Sequence, residues 1–247
     1  MRVRMNITDL TRMRGARVCV AGVTDEGQCI RPEFADSRPI LENWLFDNDR
    51  VIIRPFARVI LNLIEPIPQP PHSEDWIVEE NYKQYLGDFD LEERNNFLRN
   101  ILDPNVSSIF GAEIQTDFGY YICEDEGNRS LGTIQVAEIV NFTHELSFGR
   151  WDYRLSFIDQ SGSRYRLRIT DLALRNYIDY LRIHEEIPYY EIGQQITETL
   201  QQSLVFLRIG LARPTWDEHP HCCFLQINGV YTFPDYLGGR CFADFRR

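Results

Sequence analysis

Residues 150–169 read RWDYRLSFIDQSGSRYRLRI, and their alternation limits the fold more than any other stretch of the chain. Apolar and polar residues exchange at nearly every step on both sides of Gln160-Ser161-Gly162, a period of two that belongs to strands and not to helices. Trp151, Tyr153, Leu155 and Phe157 therefore share one face, and Tyr165, Leu167 and Ile169 supply the matching face next door. The opposite face carries Arg150 at its margin, Arg154, and the row Arg164, Arg166 and Arg168. The first face demands a core, and the second is left to water or to a ligand.

The rest of the chain reads as further strands punctuated by few helices. RVCVAGV (17–23) and QCIRPEF (28–34) flank the turn TDEG as a hairpin. VIIRPFARVILNLIEPI (51–67) is a long strand stretch that can bend at Pro55. SEDWIVEENYKQYL and DLEERNNFLRNIL have helical spacing, with Ser73 as a good N-cap of the first and a capping box, Asp90 with Glu93, opening the second. FGAEIQTDFGYYICEDEG (110–127) supplies one or two strands. LGTIQVAEIVNF (131–142), the hairpin already described, two helices within 171–202, LVFLRIGLARP (204–214) and HPHCCFLQINGVYTFPDY complete the second half. The order strand, strand, strand, helix, strand, strand thus occurs twice, and it is the element order of the OB-fold, a small Greek-key barrel. The expected fold class is α+β and β-rich, with two OB-like barrels, each with a helical insertion between its third and fourth strands. The first spans 1–127 with an acidic helical insert at 72–106, and the second spans 128–247.

The residues also carry a family resemblance. LTRMRGARVCVAG, IRPFARV, PPHSEDW, YRLSFIDQSGSRYRLRITDL and FLQINGVYTFPDY together resemble the bacterial dual OB-domain proteins over nearly the whole chain. The resemblance implies two barrels and, by analogy of fold, binding of nucleic acid or of a protein partner; it brings no catalytic residues with it.

Charge and composition exclude several chemistries. The net charge of -11 argues against indiscriminate adhesion to nucleic acid or anionic lipid. All of it lies between His72 and Glu126, where fourteen acidic residues face three basic ones. Of 26 basic residues only Lys83 is lysine, so a P-loop or Schiff-base lysine would have to sit in the acidic stretch EENYKQYLGD, which has no glycine-rich loop. Six cysteines without a C-x-x-C pair, no signal peptide and no long apolar run lead to the expectation of a cytoplasmic protein with reduced thiols and no membrane span.

Five groups of residues are candidates for function. The row Arg154, Arg164, Arg166 and Arg168 lies on the second and third strands of the second unit, where OB-folds hold ligands, and guanidinium groups at alternate positions match phosphates. A solvated outer face partly neutralised by Asp152 is the other reading of that row. Arg31, Arg54 and Arg213 each precede a proline, and this Arg-Pro pattern protects a sheet edge or supplies secondary phosphate contacts. Asn228-Gly229 reads as a type I′ hairpin turn between FLQI and VYTF, placing Phe224, Tyr231 and Phe233 on one aromatic face, either core or a base-stacking platform. His219 and His221 lie near Cys222 and Cys223, but adjacent strand residues face opposite ways, so no metal ligand set is assigned. His72 in PPHSEDW invites a catalytic reading. No cofactor and no catalytic residue are assigned.

The leading expectation is a non-catalytic module for single-stranded DNA or RNA, in a bacterial defence or DNA-processing assembly. Its alternative is a protein-interaction subunit docking through the acidic segment 72–126, and third stands an enzyme or zinc site near His72 or His219/His221.

Overall fold

The computed structural model describes residues 1–147, 149–214 and 218–246. Its first half forms strands β1 (Arg2–Arg12), β2 (Val18–Thr24) and β3 (Cys29–Glu33), a short 3-10 helix at Glu42–Leu45, and the small ribbon β4 (Phe46–Asp47) and β5 (Arg50–Val51). Two long strands follow, β6 (Ala57–Pro66) and β7 (Asp75–Asp88), and then helix α1 (Leu91–Asn100). β1, β2, β3, β7 and β6 close into a five-stranded barrel. β3 runs parallel to β7 and β6 returns antiparallel to β1, so β6 and β7 are the fourth and fifth strands of an OB barrel.

In the second half come β8 (Tyr121–Cys123), β9 (Leu131–Gln135), β10 (Glu138–Ser147), β11 (Arg150–Ile158) and β12 (Arg164–Ile169). Helices α2 (Leu172–Ile183) and α3 (Tyr189–Gln201) lead to β13 (Leu204–Leu211) and β14 (Cys222–Phe233). The sheet order is β10-β11-β12-β14-β13-β9, with β12 parallel to β14. β9 and β10 are one strand interrupted at Val136–Ala137, whose N–H groups bond to Val205 and Ile158, so the path returns on itself. The same strand order is thus built twice, and in the second unit both helices lie between the third and fourth strands.

Four local readings of the sequence are corrected. β1 is absent from the sequence reading because Asn6, Thr8, Asp9 and Thr11 make it look hydrophilic, yet all four are buried. The stretch 51–67 is broken by the turn at residues 52–56, where Phe56 has a φ of 68°. Residues 75–88, read as helical within the insert 72–106, form β7, and only Leu91–Asn100 is an α-helix there. Its ladder with β6 has three register irregularities, and the extra residues that two of them place on β7 break the period of two and imitate helical spacing. Ser73 is accordingly no N-cap, its hydroxyl donating to the Asn128 carbonyl at 2.6 Å. The capping box of α1 is present as expected, Asp90 accepting from the Glu93 N–H at 2.8 Å and Glu93 from the Asp90 N–H at 2.8 Å.

The fourth correction concerns Asn228-Gly229, which makes no turn. β14 runs straight through it, and Asn228 is a bulge between the pairs Ile209–Ile227 and Arg208–Gly229. The Asn228 side chain accepts from the Thr170 hydroxyl at 3.1 Å and packs on Gly210, where a Cβ would lie 2.2 Å from its Nδ2. Gly229 is required for space, since a Cβ there would lie 2.7 Å from the Tyr231 hydroxyl oxygen.

The barrels are joined by buried polar contacts. Arg208 of β13 reaches Asp9 of β1 through Nε at 3.1 and 3.0 Å and through Nη2 at 2.9 Å, and its Nη1 donates to Thr133 at 2.8 Å. The Tyr231 hydroxyl donates to the Thr8 carbonyl, and Arg12 of β1 pairs with Asp179 of α2 at 2.6 Å. Leu237, Phe242 and Phe245, near the C-terminus, pack into the core of the first barrel.

Candidate nucleic-acid interface

β11 and β12 pair antiparallel with Leu155 opposite Leu167 and Phe157 opposite Tyr165, and all four side chains are buried in the second core. The alternate residues therefore face outward. Arg164, Arg166 and Arg168 are exposed at every second position of β12, and Arg154 stands directly across from Arg168.

Asp152 neutralises one end of this row. Its carboxylate accepts from Arg154 Nε at 2.6 Å and from Arg168 Nε at 2.9 Å. Burial works to raise the Asp152 pKa, but the Arg154 hydrogen bond and the charges of Arg168 and Arg154 outweigh it and hold the carboxyl below its usual range. At the other end the arginines are less engaged. Arg166 reaches only the Thr143 hydroxyl, at 3.4 Å, and among the described residues no carboxylate lies within ion-pairing distance of Arg164 or Arg166.

Beyond β12 the same outer face continues into rings. Gln226 of β14 lies beside Arg168, and Phe224 stands two residues before it. There β8 inserts against β14: the Leu225 N–H donates to the Tyr120 carbonyl at 2.9 Å, and the Tyr120 hydroxyl donates to the Arg164 carbonyl at 3.0 Å. Tyr121 is paired with Phe224, their ring centroids 5.6 Å apart. Phe118 lies 6.3 Å from Tyr121 and 4.4 Å from the ring of His219, and it is 59% exposed. An exposed aromatic ledge thus borders the arginine row.

Several expected contacts lie elsewhere. Tyr231 is buried between the barrels, edge-on to Phe56, and Phe233 packs against Phe206, so neither joins Phe224. The expected common face assumed a turn at Asn228-Gly229; in the straight strand Phe224 and Tyr231 stand roughly 20 Å apart along the chain direction. Arg31 is likewise corrected as a phosphate contact. It is buried, bonded to Asp75 at 2.6 Å and to Ser130 at 3.3 Å. Arg54 is engaged by Asp88 and the Val51 carbonyl, and Arg213 by Asp75 and by Glu33 at 3.3 Å. Pro32 pairs with Trp76 of β7 beyond Ile30, where the β2–β3 ladder ends, and Pro55 lies in a turn. Of the LARPTW stretch, Thr215 and Trp216 fall outside the described residues.

The acidic segment spends much of its charge within the molecule. Glu74 accepts from the Ser130 N–H at 3.1 Å, Glu93 from Arg58 at 3.0 Å, and Asp103 from Arg129 and the Thr133 N–H. Glu80 pairs with Arg38 at 2.8 Å, and Glu79 accepts from Asn62 at 2.7 Å.

The histidine and cysteine candidates gather no catalytic set. His72 is buried, with neither ring nitrogen hydrogen-bonded among the described residues, and burial followed by the charges of Arg31 and Arg213 lowers its pKa to about 3. His221 lies 3.3 Å from Glu124. Burial pushes the Cys223 thiol up to about 11, the opposite of what a thiolate nucleophile needs. Among the described residues no group of three His, Cys, Asp or Glu side chains is arranged to hold a metal ion, and no helix is long and apolar enough to cross a membrane.

Alternation alone identifies the arginine row. It does not reveal Phe118, Tyr121 and His219, because β8 joins a strand about a hundred residues distant and nothing local in QTDFGYY announces that partner. Asp9 and Arg208 are equally silent, Asp9 being the lone acid of a polar strand and Arg208 the lone charge of an apolar one.

A family model for a dual OB-containing domain matches residues 7–230. No curated protein matches the chain.

Proposed function

The chain belongs to the dual OB-containing domain family, and from that premise we propose that it is a non-catalytic module binding single-stranded nucleic acid on the outer face of its second barrel. The observation that carries this reading is the pair Arg164 and Arg166, exposed on the third strand of an OB barrel with no carboxylate to neutralise them among the described residues. Unpaired guanidinium groups at alternate strand positions meet phosphates bidentately, and single strands expose the bases that rings can stack upon. Phe118 and Phe224 stand where such bases would lie, and Arg154 and Arg168, shared with Asp152, form the weaker end of the track. Phosphate contacts of this kind act without regard to sequence, so the reading predicts salt-sensitive binding with little base preference.

The test is fluorescence anisotropy with labelled single-stranded DNA and RNA, comparing the wild type with Arg164→Ala/Arg166→Ala. Both side chains are exposed and outside the core, so the double variant keeps its fold. Binding should weaken at least tenfold in the variant. The slope of log affinity against log salt should also become shallower, by about 1.4 for two phosphate contacts on a single strand. Equal affinities for the two proteins would overturn the assignment.

A further inference from the structure

β10 ends its sheet: β11 covers one of its edges and, among the described residues, no strand covers the other. Helix α3 seals the first part of that open edge with side chains. The Thr197 hydroxyl accepts the Phe142 N–H at 2.9 Å, and Gln201 Nε2 donates to the Ile139 carbonyl at 3.0 Å. Gly193 lets the helix come close, since a Cβ there would lie 3.6 Å from the Phe142 carbonyl oxygen. Beyond Phe142 no α3 side chain hydrogen-bonds the β10 backbone among the described residues.

Backbone direction follows from the Phe142 bond. In an antiparallel strand, alternate residues turn their N–H and C=O groups to the same side. As the Phe142 N–H faces α3, the backbone groups of His144 and Leu146 face the open edge too. Among the described residues neither has a hydrogen-bond partner there. Exposed edges are usually blunted by charged side chains or proline, and Phe142–Ser147 contains no proline and one such charge, Glu145.

Between this edge and α3 lies an open groove of about 450 Å³. Tyr189 and Tyr190, 48% and 65% exposed, form its apolar wall, Phe142 at its floor is buried in the second core, and Leu146, 61% exposed, follows Glu145 on β10. Glu145 and Glu198 line it, no lysine or arginine does, and Glu191 lies in the first turn of α3.

We propose that this groove takes an extended, basic segment of a partner protein, which adds to β10 as a further strand. Its backbone pairs with His144 and Leu146, an apolar residue packs on the exposed rings of Tyr189 and Tyr190, and lysine or arginine side chains face Glu145 and Glu198. Charge selects this occupant over a second copy of the chain, because pairing β10 with itself would set Glu145 of each copy in an acidic seam. The surface is distinct from the acidic segment at 72–126 and adjoins the arginine row at Thr143, which Arg166 reaches at 3.4 Å.

The test uses a labelled eight-residue peptide of alternating lysine and valine, the same peptide with glutamate for lysine, and two lysine–valine peptides N-methylated on one or the other alternate set of residues. Anisotropy should show binding of the lysine peptide and none of the glutamate peptide. Amide exchange at His144 and Leu146, followed by NMR, should slow at least tenfold on binding. One of the two N-methylated peptides should fail to bind, which separates strand pairing from attraction to an acidic protein. Glu145→Arg/Glu198→Arg, at two exposed positions, should weaken binding at least tenfold, whereas Arg164→Ala/Arg166→Ala, which removes a positive charge beside Thr143, should not weaken it. Equal binding of both methylated peptides, unaltered amide exchange, or a dimer of the free protein that protects the same amides would overturn the proposal.

Discussion

The two barrels share a strand order and differ in what lies over their second and third strands. In the first barrel β2 and β3 are buried along nearly their whole length, and Arg31, at the centre of β3, is bonded to Asp75 and to Ser130 at the start of the second unit. In the second barrel β12 alternates exposed and buried residues throughout, and its arginines face outward. The face that would serve a ligand in one copy is occupied by the seam between copies in the other. The same topology therefore provides a joint in the first unit and an open surface in the second, and only the side chains on those strands say which. Charge follows that division only in part: Arg38, Arg54 and Arg58 of the first barrel each meet a carboxylate, whereas Arg164 and Arg166 meet none among the described residues.

The largest effect is expected where the comparison is broken at the seam. Arg208→Ala leaves the buried Asp9 carboxylate without its cation, and loss of one partner of a buried ion pair costs about 3 to 5 kcal/mol. Urea unfolding should register that loss, while the folded fraction binds single-stranded nucleic acid as the wild type does. A loss below about 1 kcal/mol would mean that the barrels are held by apolar packing alone.

Next in size comes the aromatic ledge. Phe224→Ala should weaken binding of single-stranded nucleic acid by about 1 to 3 kcal/mol, the usual value of one stacked base, with no change in salt slope. Tyr231→Phe, which removes only the buried hydroxyl bonded to Thr8, should leave binding as it is and lower stability. A salt slope that changed with Phe224→Ala would place that ring's role in holding the arginines and not in stacking.

How much of this was legible depended on whether local pattern and tertiary role agreed. For β11, β12 and both helices of the second unit they agree: one face is core, the other is solvent, and the period shows. β1 and β7 are the failures. β1 is buried on both faces, one of them polar because it forms the seam, so its Asn, Thr and Asp residues resemble a loop. β7 follows a bulged ladder, and its apolar residues fall at helical spacing by accident of those bulges. Asn228-Gly229 misled differently, because each residue was chosen for a close approach between strands and not for the positive φ that the pair usually signals. The arginine row was visible, and the rings beside it were not, since alternation reports on one hairpin while β8 and β14 are separated in sequence by most of the second unit.

A smaller effect should appear with pH. His72 and His144 are both buried, and burial, reinforced by nearby arginines, lowers their pKa values to about 3 and about 4. The unfolded chain, with histidines near 6.5, therefore takes up protons first, so stability is complete above that value and falls as pH drops toward 4. Each histidine contributes a slope of up to about 1.4 kcal/mol per pH unit in that window. His72→Phe should reduce the slope of unfolding free energy between pH 6.5 and 5 by about half of the histidine contribution. An unchanged slope would show that His72 acquires a partner in solution.

The smallest expected effect bears most directly on the difference between the barrels. Arg58 of β6 pairs with Glu93 at 3.0 Å on a partly exposed surface, and pairs of that kind contribute at most about 1 kcal/mol. Arg58→Ala should therefore shift stability by no more than that and leave nucleic-acid affinity and its salt slope unchanged. Glu93→Gln gives the sharper reading, since it releases the Arg58 guanidinium without removing it. If an unneutralised arginine were sufficient to bind phosphate, Glu93→Gln would raise affinity and Arg58→Ala would abolish the gain. If position on the open face of β12 is also required, neither variant changes binding, and the second barrel's distinction lies in its geometry as well as its charge.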